Sequence, residues 1–489
     1  MISKENEQPI YYQTATDLLE KLGSGAISSV ELTEQFIARI EALNPVINAV
    51  VVQTFDDART EARAADAARH EGRPLGALHG LPMTIKESFG LAGTPTTFGI
   101  PDFAQNIAAA DSEAVARLRA AGAIILGKTN VPPALMDGQS VNPIYGRTVN
   151  PWDTDRTPGG SSGGSAAALA TGFSALDYGS DIASSIRNPA HYCGLYGHKP
   201  SFGLSPSGGH TLGEHDLAPD IGVTGPLARS AFDLELALSV VAGPEGPMAT
   251  AYRLELPTPR RSRLEDYRVA LVSNDDFAEV DGEVGSQIEA LGDFLEKEGV
   301  HVSRAARPAF DSQELHALYL VLLRAATANT VSDEEFAAAQ SAAGGAGLYA
   351  RDMATLNAYG VSLSHRDWLR LHAERERLRR AWRAFFDDHD LMLCPPLSTA
   401  AFPHSDVAPQ ARRLEVNGRD FPFENQLFWA AYAGLPYLPA TVAPIGLTQS
   451  GLPVGVQIIG ADFRDLECIH FAQLLETRYR SFVAPPRFP

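Results

Sequence analysis

Seven consecutive residues, Gly159 to Ser165, are four glycines and three serines, and they lead directly into alanine-rich sequence ending at Ala170. A backbone this permissive, with hydroxyls this dense at a helix start, suits three uses: a flexible linker, a phosphate cradle, or the loop of a nucleophile. Structured apolar sequence on both sides argues against a linker. Gly160 to Gly164 reads GSSGG and satisfies G-x-S-x-G, which would make Ser162 the nucleophile of an α/β-hydrolase elbow. That chemistry also needs a histidine and an acid brought close in space, and thirteen histidines leave it open. A second pattern, GAIILGKT from Gly122 to Thr129, satisfies the phosphate-binding loop G-x-x-x-x-G-K-T. Its context refuses that role: Ala, Ile, Ile and Leu fill the turn, and Val131-Pro132-Pro133 stand where the helix should begin.

Other chemistries are disfavoured by composition. The formal charge of -19 gives a surface that repels nucleic acid and anionic lipid. Cys193, Cys394 and Cys468 are scattered without a CxxC pair, which encodes neither a disulfide framework nor a zinc ribbon and fits a reducing compartment. His191 and His198 lack ligand spacing and read as structural, so no metal site and no cofactor are expected. The first residues, MISKENEQPI, lack a signal-peptide core, and the apolar run from Ala317 is too short to span a bilayer. A cytoplasmic enzyme acting on a small molecule is the expectation.

The block TPGGSSGGSAAALATG, followed by SDIASSIRNPAHYCGLYGHKPS, closely resembles the amidase signature family. LHGLPMTIKESF, GKTNVP, GPLARSAFDLELAL and GLPVGVQIIG stand in the family's order around it, so the resemblance covers most of the chain. It implies a serine hydrolase with a Ser-Ser-Lys triad that cleaves amide C–N bonds, and in some members esters or carbamates, through an acyl-serine intermediate. Carried over residue by residue, the lysine is Lys86, the serine preceded by a cis peptide is Ser161, and the nucleophile is Ser185, 24 positions later. Ser162, Ser180 and Ser184 are then neighbours without a direct role. The backbone N–H groups of Ile182, Ala183, Ser184 and Ser185 would form the oxyanion hole. Asp181 and Arg187 would brace that loop as an ion pair. The family forms dimers frequently, so a homodimer is a further implication.

The chemistry gives each residue a reason. A lysine acting as base near neutrality must have its pKa lowered from ~10.4 to roughly 7–8, a shift that burial can supply. Lys86, one of six lysines, lies in the apolar stretch LPMTIKES, with Glu87 expected on the opposite face. One departure stands out: where the family commonly has Gly-Gly before the nucleophile, this chain has Ala183-Ser184. A left-handed turn there would strain each side chain by roughly 1–2 kcal/mol. The glutamine-amidase subunit of a tRNA-dependent amidotransferase also resembles this chain in motif and length. The stretch after GHKPSFG lacks that protein's serine-rich sequence and argues against it.

The elements that must position these groups alternate between helix and strand. Ser28 and Glu31 have capping-box spacing at the start of a helix expected to stop at Asn44-Pro45, and a second helix is expected from Asp56 to His70. LHGLPMTIKESFG reads as a strand, and DSEAVARLRAAGAIIL as a capped helix ending at Gly122 and followed by a strand. This β-α-β order predicts an α/β protein with a large mixed, mainly parallel sheet covered by helices on both faces. One domain over 1–489 is expected: an N-terminal helical segment (1–75), a catalytic core (76–243), a helix-rich cover (244–390), and a return to the core sheet (391–489). The arginine-rich stretch from His365 to Asp390 is expected to be a solvated helix face with i,i+4 pairs. Residues of the cover and the loops near FENQLFWAAYAG (Phe423–Gly434) are candidates for the acyl or leaving-group pocket, and Phe428, Trp429 and Tyr432 suggest apolar groups there, although these aromatics also suit a core.

Overall fold

The computed structural model describes residues 8–211, 218–347, 350 and 352–488. Eleven strands form one sheet: β1 (Val50–Gln53), β2 (Pro82–Lys86), β3 (Ile124–Thr129), β4 (Leu176–Asp181), β5 (Tyr196–Lys199), β6 (Val223–Ala228), β7 (Arg268–Leu271), β8 (His301–Ser303), β9 (Leu391–Cys394), β10 (Ala440–Leu447) and β11 (Pro453–Ile459). Across the sheet they run β1-β3-β2-β4-β6-β5-β10-β11-β9-β7-β8. Pairing is parallel among β3, β2 and β4 and among β9, β7 and β8, with β1 added antiparallel at the β3 edge. The middle, from β4 through β6, β5, β10 and β11 to β9, is antiparallel. The parallel description therefore fits the two outer groups, where helical crossovers link the strands.

Local chemistry sets most element ends. The Ser28 hydroxyl accepts from Glu31 N at 3.1 Å while the Glu31 carboxylate accepts from Ser28 N at 2.9 Å, the reciprocal box expected there. That helix does not stop at Asn44-Pro45: it runs from Ser29 to Ile47. Pro45 lacks only one N–H, close to a terminus. Asn44 turns the chain instead, since its side-chain oxygen accepts from Ala49 N and Val50 N at 2.8 and 3.0 Å. Ser112 caps the helix Glu113–Ala120, which leads into β3. Lys128, the lysine of the GKT motif, lies buried in β3 and donates to Pro95 O and to Thr96 Oγ1, so the motif is a core strand.

The arginine-rich helix spans His365–Asp388. Its surface pairs are i,i+3 rather than i,i+4, as in Arg370–Asp367, Arg377–Glu374 and Arg379–Glu376. Arg375 departs from the expected solvated face: it is fully buried and pairs with Asp220 at 2.7 Å. Two short helices matter most for the site, Gly163–Ala170 and Arg187–Cys193. Ala166, Leu169, Ala170, Ala190 and Cys193 of these helices pack with Leu227 and Val442 of the sheet in one apolar cluster. Burial of each larger aliphatic side chain is worth about 1.5–3 kcal/mol, so the two helices are fixed to the same surface.

Candidate active site

Three chain segments converge beside the C-terminal ends of β2 and β4. Lys86 is the last residue of β2 and is fully buried. Its Nζ lies 2.6 Å from Ser161 Oγ, 2.9 Å from Ser180 Oγ and 3.5 Å from Ser180 O. Burial pushes the Lys86 pKa down to about 7, against the opposing pull of Asp181 and Asp177. Asp177 takes the same effect in the other direction: burial raises its carboxyl to about 7, although Thr84 Oγ1 donates to it at 2.6 Å. Glu87 turns away from the site and accepts from Thr97 N and Phe98 N.

Ser161 is held by a loop of tightly packed backbone. The peptide between Gly160 and Ser161 is cis. A Cβ on Gly160 would sit 2.4 Å from Asp137 O, and one on Gly164 would sit 2.2 Å from Asn130 N, so close backbone approach explains these glycines. Asn188 clamps the Gly160 peptide from both sides, accepting from Gly160 N at 3.1 Å and donating to Gly160 O. Asn188 comes from the helix that follows Ser185, so the two serine loops are joined. Ser162 N donates to Ser185 O at 3.1 Å and joins them again. The Ser162 hydroxyl itself donates to Ser180 O at 3.3 Å. Among the described residues no histidine hydrogen-bonds to Ser162, so the elbow reading has no base.

The loop from Ile182 to Ile186 carries Ser185. Asp181 organises it from below: its carboxylate accepts from Ser184 N at 2.9 Å and Ile186 N at 3.0 Å. Burial opposes its charge, but the Arg187 guanidinium outweighs this and holds the Asp181 carboxyl at about 2. Arg187 also donates to Ala430 O at 3.0 Å and to Gln457 Oε1 at 2.7 Å, and Tyr319 Oη donates to Ile182 O at 2.8 Å. Ser184 N–H is thus committed to Asp181. The N–H groups of Ile182, Ala183 and Ser185 have no such partner among the described residues. Of the two residues replacing the family's glycines, only Ser184 has a left-handed backbone, with φ +75°, and its hydroxyl is buried without a hydrogen-bond partner.

Ser185 and Ser161 line one cavity of about 140 Å³, together with Ser180, Ile182, Met136 and His210. A neighbouring lobe of about 80 Å³ includes Ser185, Ala183, Gly160, Arg324 and Glu424. Leu135, Met136, Ile182, Ser185 and Thr327 border both lobes, so Ser185 stands between them. No hydrogen bond joins the Ser185 hydroxyl to Ser161 here; the shared cavity is what brings them together. A larger open cleft of about 1110 Å³ near Asp281 and His404 contains none of these groups.

Several residues were not singled out from sequence for the positions they occupy. Ser180 contacts Lys86, and His210 enters the cavity bonded to Ser88 Oγ at 2.9 Å, its pKa pushed down to about 3 by burial and by Lys86. Thr327 and Arg324 of the expected cover do reach the cavity. Phe428, Trp429 and Tyr432 do not: they are core residues, because the helix Leu427–Gly434 is apolar on every side and only its start reaches a lobe. His191 accepts from Gly455 N at 2.7 Å and bonds Thr399 O, while His198 bonds Thr441 and Asp465, both away from the cavity. Among the described residues no cluster of His, Cys, Asp and Glu could hold a metal, and no helix is long and apolar enough to cross a membrane.

A buried, low-pKa lysine bonded to a serine, beside a second serine on a loop of backbone donors, is an arrangement for acyl transfer. The family model described as Amidase matches residues 31–469, and the chain belongs to that family, the enzymes that hydrolyse amide C–N bonds. It is similar to an indoleacetamide hydrolase of Bradyrhizobium diazoefficiens, 33% identical over 96% of this chain and 87% of that one. A glutamyl-tRNA(Gln) amidotransferase subunit of a Synechococcus species is 31% identical over 96% of each chain. Among solved structures, 6-aminohexanoate cyclic dimer hydrolase superposes with a TM-score of 0.78 at 26% identity, over 96% of this chain and 98% of that one.

Proposed function

We propose that this amidase cleaves small carboxylic amides through an acyl-enzyme on Ser185, with Ser161 and Lys86 relaying the proton. The observation that carries the reading is the 2.6 Å contact between Lys86 Nζ and Ser161 Oγ, in surroundings that bring the lysine pKa to about 7. Neutral Lys86 takes a proton through Ser161 as Ser185 Oγ attacks the carbonyl carbon. The tetrahedral oxyanion is received by the N–H groups of Ile182, Ala183 and Ser185; one such donor is worth about 3–4 kcal/mol in other hydrolases. Ser161 then returns the proton to the departing nitrogen, the C–N bond breaks, and water releases the acid by the same relay. The apolar walls of the cavity support aryl and alkyl amides as substrates, in keeping with the indoleacetamide hydrolase likeness.

A fluorophosphonate probe followed by peptide mapping tests this reading. The label is expected on Ser185, with Ser185→Ala inactive; a label on Ser162 with an active Ser185→Ala variant overturns the assignment. Likeness to amidotransferase subunits supports a second reading, in which the chain works within a complex. Part of the stretch that argues against it, residues 212–217, lies outside the described residues. Hydrolysis of a simple amide by the purified chain alone decides between the two. Three buried, unpaired cysteines support a reducing, cytoplasmic setting.

A further inference from the structure

We propose, building on Ser185 as nucleophile, that Arg324 and Glu424, bridged by Asn357, form a self-neutralised charge pair in the acyl lobe that selects neutral acyl groups and rejects those carrying a carboxylate or an ammonium. The two lobes are assigned by the proton. The departing nitrogen must lie beside Ser161, which lines the 140 Å³ lobe and not the 80 Å³ one. The acyl group therefore enters the smaller lobe, past Ala183. Leu323, Leu397 and Leu427 make its apolar wall, and three charged residues line it: Arg324 and Glu424, with side chains 12% and 4% exposed, and Asp137, which Arg412 holds by two hydrogen bonds at 2.6 and 2.8 Å.

Arg324 and Glu424 are already satisfied by each other. Arg324 Nη2 donates to Glu424 Oε1, Arg324 Nε donates to Asn357 Oδ1 at 2.7 Å, and Asn357 Nδ2 donates to Glu424 Oε2 at 3.0 Å, which closes a ring of three side chains. The ring is built into the packing of two helices, Ser312–Ala326 and Met353–Val361. A Cβ on Gly360 would lie 2.7 Å from Arg324 Cβ and from Val321 O, so glycine there permits the close approach that brings Asn357 to Arg324. An acyl carboxylate drawn to Arg324 would meet Glu424, and an ammonium drawn to Glu424 would meet Arg324. Either charge would lose its water without a free counter-charge in return. A neutral polar atom can still take Arg324 Nη1, which has no partner among the described residues.

The test uses three p-nitroanilides that share a leaving group and differ at the end of the acyl chain: butanoyl, 3-carboxypropanoyl and 3-aminopropanoyl. The wild-type enzyme is expected to favour butanoyl over both charged substrates in kcat/KM by about tenfold or more, the scale of a charged hydrogen bond. Glu424→Gln should shift the preference toward 3-carboxypropanoyl, and Arg324→Gln toward 3-aminopropanoyl, by a similar factor. Equal rates on all three substrates in the wild type overturn the proposal, whether or not the variants fold. Unchanged ratios in both variants, with fluorophosphonate still labelling Ser185, overturn it as well. Failure of the probe to label wild-type Ser185 overturns the nucleophile assignment instead, so the two ideas fail separately.

Discussion

Arg187 grips Asp181 with two parallel bonds, Nη2 to Oδ1 at 2.8 Å and Nε to Oδ2 at 3.0 Å, and neither side chain is exposed to solvent. The same two carboxylate oxygens hold the loop in front of Ser185. Removing the carboxylate charge strands the arginine in the interior, which costs about 3–5 kcal/mol. Asp181→Asn is therefore expected to lower unfolding stability by that amount in a urea titration and to abolish most amide hydrolysis through the released loop. A variant as stable as the wild type would show that the pair does not brace the site.

Lys86 must be neutral to accept a proton, and burial places its pKa at about 7. The kcat/KM for amides should rise with pH, about tenfold per unit on the acid side, and level off above about 7. Asp181, held at about 2, remains ionised throughout and does not shape this limb. Stability follows the same group. Between about 7 and ~10.4 the unfolded chain binds the lysine proton and the folded chain does not, so this contribution to stability increases with pH across that window. Activity constant from pH 5 to 9 would remove Lys86 from the base role.

In the proposed mechanism the relay of Lys86 and Ser161 has two duties, activating Ser185 and returning a proton to the leaving group. An amine cannot depart as an anion, whereas nitrophenolate can. Lys86→Ala and Ser161→Ala should therefore depress amide hydrolysis more than nitrophenyl ester hydrolysis, by an additional factor of roughly 10 to 100. Single-turnover rates with matched acyl groups measure acylation alone. Equal losses on the two substrates would mean that another acid serves the nitrogen.

Ser184 combines a left-handed backbone with a buried hydroxyl that has no hydrogen-bond partner. Glycine would relieve both, set against its greater freedom in the unfolded chain. Ser184→Gly should stabilise the protein by about 1 kcal/mol, whereas Ser184→Ala, which keeps the backbone strain, should gain less. Chemical denaturation of both variants measures the difference. A less stable glycine variant would contradict the strain.

The parts of this fold legible in the sequence are those governed by short-range chemistry. The Ser28–Glu31 box, the Ser112 cap and the apolar run ending at Lys86 each depend on neighbours within a few residues. Pro45 misled because the turn there is made by the Asn44 side chain reaching forward to Val50. Arg375 misled because its partner, Asp220, lies 155 positions away. In the same way, Arg324 and Glu424 are 100 positions apart, so their stretches are legible as pocket candidates but their pairing is not, and Phe428 suits core or pocket until the whole helix is enclosed. Lys86, Ser161, Ser185, Asp181 and Arg187 were visible because dense local motifs surround them, and the lining of the cavity was not, because it is assembled from distant helices.

The bond from Arg187 to Gln457 joins residues 270 positions apart, and Gln457 lies in the last strand of the sheet. On the ribosome, Lys86, Ser161 and Ser185 have all been made while this acceptor is still unsynthesised. Arg187, bound to Asp181, then lacks the two acceptors that hold it on its other side, Ala430 O and Gln457 Oε1. The loop presenting Ser185 acquires its full support only once residue 457 has been made, so a product truncated before that point carries Lys86, Ser161 and Ser185 without the frame that holds them.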